Sequence, residues 1–296
     1  METRRVVRIG SSFYIALPKR WVLDRVGEGG VLALEVEEDG SLRIMPPSAK
    51  RAEDRKVIRL SCGKDLFRNI VSAYLRGFEV IEVSVTGGCR DEVMRVMERA
   101  RQLLLGLELV GEEEDVIVLQ CFTRPDYDLY SIVQRMSSIT LEMLNLSLRA
   151  VATGDFSLAE KVLALDDIVD RLYFLAVRII RSRISDPSYP SSEKVRLVDI
   201  RVVVRNFENI GDLFEKLFRE GLERGKVDWE LYELLSRFQK SVVSLALGLN
   251  DSREQALELY TKLEEKISMA EEKLPRRIHE VLEEVSSLLK DILDLS

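Results

Sequence analysis

The sequence predicts a multidomain α+β protein: a small N-terminal β region, a βαβαβ middle unit, and an all-α C-terminal region. Three observations lead there. Short apolar runs broken by glycine turns fill residues 1–48, and strand-like and helix-like runs alternate over residues 55–122. From Pro125 onward, apolar residues recur at helical spacing.

In the first segment, "RRVVRIG" and "FYIALP" flank the turn "GSS". "VLALEVEEDGSLRIMP" reads as a hairpin with "DG" at its bend, a strong short-range turn signal. Between them "KRWVLDRVG" has the length of one or two helical turns. So few residues bury little core alone, and dimerisation is the natural remedy. "PPSAKRAEDR", with its prolines and small charged residues, reads as a linker.

In the middle segment "RKVIRLSC", "EVIEVSVTG" and "DVIVLQCF" read as strands, and "KDLFRNIVSAYLRGF" and "RDEVMRVMERARQLLL" as helices. That order argues for a small open sheet with helices packed on it. The loops "SCGKD" and "TGGCRDE" each precede a helix, where backbone N–H groups can meet an anion, although neither has the spacing of a P-loop. Ordinary turns look the same.

Beyond Pro125, helices are expected at about 127–152, 155–184, 191–222, 228–249, 252–273 and 276–294. The breaks "TGD", "SDPSYPS", "ERGKVD", "LND" and "KLP" supply turn residues and caps. Short connections make antiparallel neighbours, and the lengths suggest two three-helix units, the second shorter.

Composition narrows the chemistry. The 296 residues are 46% hydrophobic and 32% charged, which suits two or three globular domains with buried cores. No apolar run approaches the roughly 20 residues of a membrane helix. "METRRVVRIG" lacks the apolar stretch of a secretory signal, so a cytoplasmic protein that is not membrane-embedded is expected. Cys62, Cys89 and Cys121 form no CxxC pair and read as reduced, structural thiols. The single histidine, His279, excludes Ser-His-Asp hydrolysis and His-rich zinc centres, leaving carboxylates to carry any chemistry. The net charge of −7 disfavours nucleic-acid binding by the whole surface, yet Arg4, Arg5, Arg8, Lys19, Arg20 and Arg25 crowd the first part of the chain.

The carboxylates themselves are patterned. In "RNFENIGDLFEKLF", Glu208 and Asp212 flank an apolar face formed by Phe207, Ile210, Phe214, Leu217 and Phe218. In "LALDDIVDRLYFLAV", Asp166 and Asp170 hold the same side of the stripe Val162, Leu165, Val169, Leu172, Ala176 and Ile179. If the two helices fold antiparallel about "SDPSYPS", Asp170 pairs in height with Glu208 and Asp166 with Asp212, both pairs being centred on Tyr189. Four acidic groups without an interleaved lysine repel unless a cation joins them or protons are taken up. Oxygen-only ligands favour magnesium, calcium or manganese, with iron also accommodated. Solvated helix flanks show the same spacing. Asp167 and Glu215 stand nearby as outer ligands or solvated groups.

These two stretches, "FENIGDLFEKLF" and "LDDIVDRLYFLAV", resemble the paired E(D)xxxD motifs of PhoU-type proteins, over residues about 126–296. The resemblance implies repeated three-helix bundles, metal clusters held at the motifs on the bundle surface, and a role in controlling phosphate uptake through a phosphate transporter and its signalling machinery. It extends to Asp166, Asp170, Glu208 and Asp212. The second bundle departs from the pattern: Glu264 and Glu265 are followed by Ser268, and Glu280 and Glu284 keep only their spacing.

"RRVVRIGSSFYIALPKRWV", followed by "DGSLRIMP", resembles AbrB/SpoVT-type domains over residues 1 to about 48, with Gly29-Gly30 where the family has glycine-aspartate. That implies a swapped-hairpin homodimer that binds DNA through surface basic residues, here Arg4, Arg5, Arg8, Lys19 and Arg20. These can neutralise phosphates, a sequence-independent contribution that a dimer doubles. A segment that only dimerises the chain would carry the same residues.

Two functions are therefore expected to compete: a DNA-binding transcriptional regulator of the phosphate response with a metal-binding helical part, and a metal-dependent adaptor docking on a transporter or sensor kinase. An enzyme is not expected, because the Glu-x-x-His motifs of di-iron bundles are absent.

Overall fold

The computed structural model describes residues 3–36, 40–46, 56–85, 88–124, 126–186, 189–249 and 252–295. The chain divides into two compact units, Met1–Asp54 with Pro190–Ser192, and Arg55–Tyr189 with Glu193–Ser296.

The first unit holds two antiparallel hairpins. β1 (Val6–Ile9) pairs with β2 (Ser12–Ile15) across the expected turn, where Gly10 takes φ 64°. A side chain with a Cβ is strained at that angle, so glycine is the natural occupant. β3 (Ala33–Val36) pairs with β4 (Leu42–Met45); at the expected "DG" bend Gly40 has φ 79°, while Asp39 lies outside the described residues. Most of the expected linker, residues 47–55, also lies outside them. Between the hairpins runs α1 (Lys19–Arg25), which buries no residue. No described residue of 3–36 or 40–46 is buried. Phe13 is 71% exposed and Val36 74%.

In the second unit come β5 (Val57–Ser61), α2 (Leu66–Leu75), β6 (Val80–Ser84), α3 (Arg90–Leu103), β7 (Leu107–Glu112) and β8 (Val116–Cys121). The sheet order is β5-β6-β8-β7, with β5 and β6 parallel and the other pairs antiparallel. The expected βαβαβ unit thus gains a strand. β7 and β8 form a hairpin with a bulge between Leu109 and Gly111. In the sequence β7 hides behind the apolar end of α3, because "LLLGL" merges helix and strand into one run.

Two of the cysteines correct the reduced-thiol expectation: Cys62 and Cys89 are paired in a disulfide, and Cys121 alone is free and buried. Their separation of 27 positions conceals that they follow adjacent parallel strands.

Six helices follow close to the expected bounds: α4 (Leu129–Thr153), α5 (Ala159–Ser185, entered through a short 3₁₀ turn), α6 (Ser191–Glu220), α7 (Trp229–Ala246), α8 (Arg253–Ala270) and α9 (Arg276–Asp294). The side chains of Asp128, Asp228 and Ser252 cap α4, α7 and α8 by accepting hydrogen bonds from first-turn N–H groups. Gly154 ends α4 in the left-handed conformation at φ 74°. α7, α8 and α9 pack on one another, and α4 packs on both α5 and α7, so one apolar core runs through both three-helix groups.

The sheet unit expected over 55–122 and the helices expected over 126–296 share one compact unit. α2 and α3 pack against α5, and Phe174 of α5 reaches the core under the sheet. Arg178 of α5 is buried there. Its guanidinium lies over the Tyr74 ring, donates to the Tyr74 carbonyl, and donates to Thr123 Oγ1 at 2.9 Å. A buried guanidinium satisfied in this way fixes the contact.

Candidate metal centre

The wide apolar stripes of α5 and α6 turn their flanks toward each other. Asp166 falls between the buried Val162, Val169 and Tyr173, so it stands on the buried line of α5 and is only 6% exposed. Glu208 on α6 is 9% exposed, Asp170 is half-buried, and Asp212 sits at the outer edge.

Asp170, Glu208 and Asp212 each offer a carboxylate oxygen, and the three oxygens lie within 4.8 Å of one another. Among the described residues this is the one such acidic group. Asp166 is the fourth member expected at the seam. It lies one turn along α5 and turns toward Gly211: a Cβ placed on Gly211 would fall 2.6 Å from Asp166 Oδ1 and 3.5 Å from Val169 Cγ1. Gly211 thus makes room for the Asp166 carboxyl against α6. That Oδ1 atom is buried and receives no hydrogen bond. The expected antiparallel register about Tyr189 agrees with these contacts; Pro187 and Ser188 of that turn lie outside the described residues.

Charge crowding follows. Burial pushes the Asp166 carboxyl up to about 8, assisted by Asp170, Glu215, Asp212 and Asp167. Asp170 rises to about 6 through burial and then Asp212, while Arg205 opposes the rise. Glu208 rises to about 7, again from burial first and Asp212 second, with Arg205 opposing. Asp212 is also raised by its partial loss of water. Without a cation the group therefore holds protons near neutrality.

One participant lies outside the acidic motifs. Arg205 lies one turn before Glu208, and its Nη1 donates to Glu208 Oε1 at 2.9 Å and stands 2.8 Å from Oε2. It also lies over the Tyr173 ring, and Arg201 donates to the Tyr173 hydroxyl at 2.8 Å. The three-residue spacing of Arg205 and Glu208 was the available signal. Glu215 is held by Arg219 at 2.6 Å, and Asp167 is exposed, which places both outside the close group.

The donor set fits a hard divalent cation: three convergent carboxylate oxygens, a fourth orphaned one beside them, and a glycine that keeps their seam open. Arg205, with Arg201 acting more weakly on Glu208, does not neutralise the group, since Asp166, Asp170 and Glu208 all stay raised. In the second helical group, Glu264 accepts from Ser286 at 2.7 Å and Glu280 from Arg276 at 2.7 Å, and no acidic group converges there among the described residues. His279 is buried with Nε2 3.0 Å from the Ile267 carbonyl, a structural role.

The expected DNA-contacting residues Arg4, Arg5, Arg8, Lys19 and Arg20 are all exposed in the first unit. Arg8 donates to the Gly10 carbonyl at 3.1 Å, and Arg20 lies 3.7 Å from Asp24.

Fold and seam together define a protein with a large helical region and an acidic seam between two of its helices. Comparison with protein families matches residues 133–220 to the PhoU domain, from α4 to the end of α6. The matched span contains the whole acidic group and makes the α4–α6 stretch similar to a PhoU domain, which suggests involvement in phosphate regulation. Neither a curated protein nor a solved structure matches the chain. None of the helices among the described residues is long and apolar enough to cross a membrane.

Proposed function

We propose that the chain is a cytoplasmic regulator of the phosphate response, a homodimer that binds DNA through residues 1–48 and a divalent cation at the α5–α6 seam. The observation that carries the cation reading is the convergence of Asp170, Glu208 and Asp212 within the PhoU match, with the orphaned Asp166 oxygen beside them. Magnesium, calcium, manganese or iron, singly or as a cluster, suits this oxygen set; bound there it removes the mutual repulsion of the carboxylates.

Dimerisation is supported by the first unit itself, which leaves Val6, Val7, Phe13, Leu34 and Val36 exposed and buries none of its described residues. A second copy of the same hairpins is the occupant that the AbrB/SpoVT resemblance implies. The basic residues Arg4, Arg5, Arg8, Lys19 and Arg20 then supply phosphate contacts from both copies.

A second reading keeps the cation site and assigns the first unit to dimerisation alone, the helical region docking on a phosphate transporter or sensor kinase. Genome-fragment binding by the full chain, beside a truncation starting at Ser48, separates them across several salt concentrations. Selected fragments retained by the full chain and lost by the truncation establish the regulator; no selection by either form leaves the first unit a dimerisation clasp and turns the search to transporter and kinase partners. Elemental analysis of protein purified without chelator tests the cation. Stoichiometric metal is expected in the wild type and lost in both Asp170→Ala and Glu208→Ala. A wild type that stays metal-free across all supplied ions ends that reading.

A further inference from the structure

We propose that Cys62 and Cys89 form a reversible thiol–disulfide pair, a redox modification site that clamps the residues following β5 to the N-terminus of α3. Cys62 directly follows β5, and Cys89 stands at the N-cap of the 14-residue helix α3. Their Cα atoms are 6.6 Å apart, within the reach of a disulfide, and the two residues are joined.

Three features make the pair exchangeable. Both cysteines are half-exposed, so small thiols reach them, whereas Cys121 is buried with Sγ 3.0 Å from Thr123 Oγ1. Cys89 stands at the positive end of a helix, beside Arg90, a setting that favours a thiolate nucleophile. The sheet and its core are held by contacts other than the bridge. β5 and β6 are already in register through Ser61 and Ser84, their last residues, and the core beneath is closed by Leu66, Ile70, Val83 and Val93. Both redox states therefore suit the same sheet, and what changes is the freedom of residues 62–65 and 88–90.

The chemistry balances with a low-molecular-weight disulfide such as oxidised glutathione as oxidant. The Cys89 thiolate attacks one of its sulfurs and expels one glutathione thiolate, leaving a mixed disulfide. The Cys62 thiolate then attacks Cys89 Sγ and expels the second. The protein loses two electrons and two protons, and two glutathione thiols form. An excess of reduced glutathione runs the sequence backward.

The test uses wild-type full-length protein equilibrated in glutathione buffers of graded ratio, from both the reduced and the oxidised side, then acid-quenched and alkylated. The expected result is one transition, identical from both sides, between a species with Cys62 and Cys89 alkylated and one lighter by two hydrogens before alkylation, with helical circular dichroism unchanged. A pair that stays dithiol in excess oxidised glutathione overturns the proposal. So does one that stays oxidised in native protein under dithiothreitol. Cys89→Ser is expected to trap glutathione on Cys62, and Cys62→Ser to trap it on Cys89; failure of both to form a mixed disulfide also overturns it. Amide exchange over residues 62–65 and 88–90 is expected to quicken on reduction, and equal exchange in the two states removes the clamp.

Discussion

Gly211 of α6 and Asp166 of α5 are complementary: the missing Cβ of one is where the buried carboxyl oxygen of the other sits, 2.6 Å from the position a Cβ would take. Gly211→Ala must therefore displace that carboxyl, and overpacking of this kind costs roughly 1–3 kcal/mol. In an Asp166→Ala background the obstacle is gone, and alanine is favoured over glycine in a helix by about 1 kcal/mol. Urea unfolding of the four proteins in chelator is expected to show a change of sign: Gly211→Ala destabilises alone and stabilises beside Asp166→Ala. Additive effects would show that Gly211 is not there for Asp166.

The carboxylates of the seam give the cation-free protein an unusual pH dependence. Asp166, Asp170 and Glu208 are all raised in the folded state, to about 8, 6 and 7. A folded state that holds protons the unfolded chain has released is favoured at low pH, so this contribution is full below the ordinary carboxylate range of about 4. It fades as pH rises and is gone once pH passes about 8. In chelator, the melting temperature is expected to fall by roughly 3–10 °C between pH 5.5 and 8.5. Asp166→Asn, which removes the most raised group, is expected to flatten that slope. A slope unchanged by Asp166→Asn would locate the pH sensitivity elsewhere.

Much of this seam is legible in the sequence, because a helix converts spacing into direction. The carboxylates one turn apart beside apolar stripes, together with an antiparallel turn at Tyr189, bring Asp170, Glu208 and Asp212 to one seam, whereas Asp166, expected with them, stands a turn away against Gly211. Helix ends are equally legible wherever a capping side chain marks them, as Asp128, Asp228 and Ser252 do. Depth is less so. Asp166 reads as a flank residue, yet it is buried, because the bare backbone at Gly211 leaves room for its carboxyl against α6. The pairing of Cys62 with Cys89 depends on β5 and β6 being neighbours, a fact of topology that no local pattern carries. β7 is lost for a third reason: its alternation begins where the apolar end of α3 has not yet stopped.

Arg205 gives a way to tell a cation site from a self-contained ion-pair cluster. It contacts Glu208 and holds down both Glu208 and Asp170, so it stands where part of a cation's charge would act. Arg205→Gln keeps much of the stem and removes the charge. Without metal this is expected to cost about 1 kcal/mol, since the guanidinium is half-exposed and the pair is screened. With manganese or magnesium titrated in, the variant is expected to bind the ion roughly fivefold more tightly, because a competing positive charge beside the ligands is gone. Isothermal titration beside thermal unfolding reads both quantities. A loss of stability that no divalent ion restores would mean that Arg205 alone is the counter-charge of the seam.

The first unit leads to the last expectation. Hairpins that leave Phe13 at 71% and Val36 at 74% exposure, and bury no described residue between 3 and 36, lack a core of their own. Burying one such apolar side chain stabilises by roughly 1.5–3 kcal/mol, and a symmetric dimer buries it twice. Full-length protein is expected to sediment as a dimer, and a truncation starting at Ser48 as a monomer. Phe13→Ser is expected to weaken the dimer by on the order of 100-fold, given about 1.4 kcal/mol for each factor of ten. The α5–α6 seam lies in the other compact unit, so ion binding by the truncation is expected to match the wild type. A dimer that persists without residues 1–47 would move the interface to the helices and leave the exposed hairpins to a different occupant. A full chain that sediments as a monomer at every concentration would remove the second copy altogether.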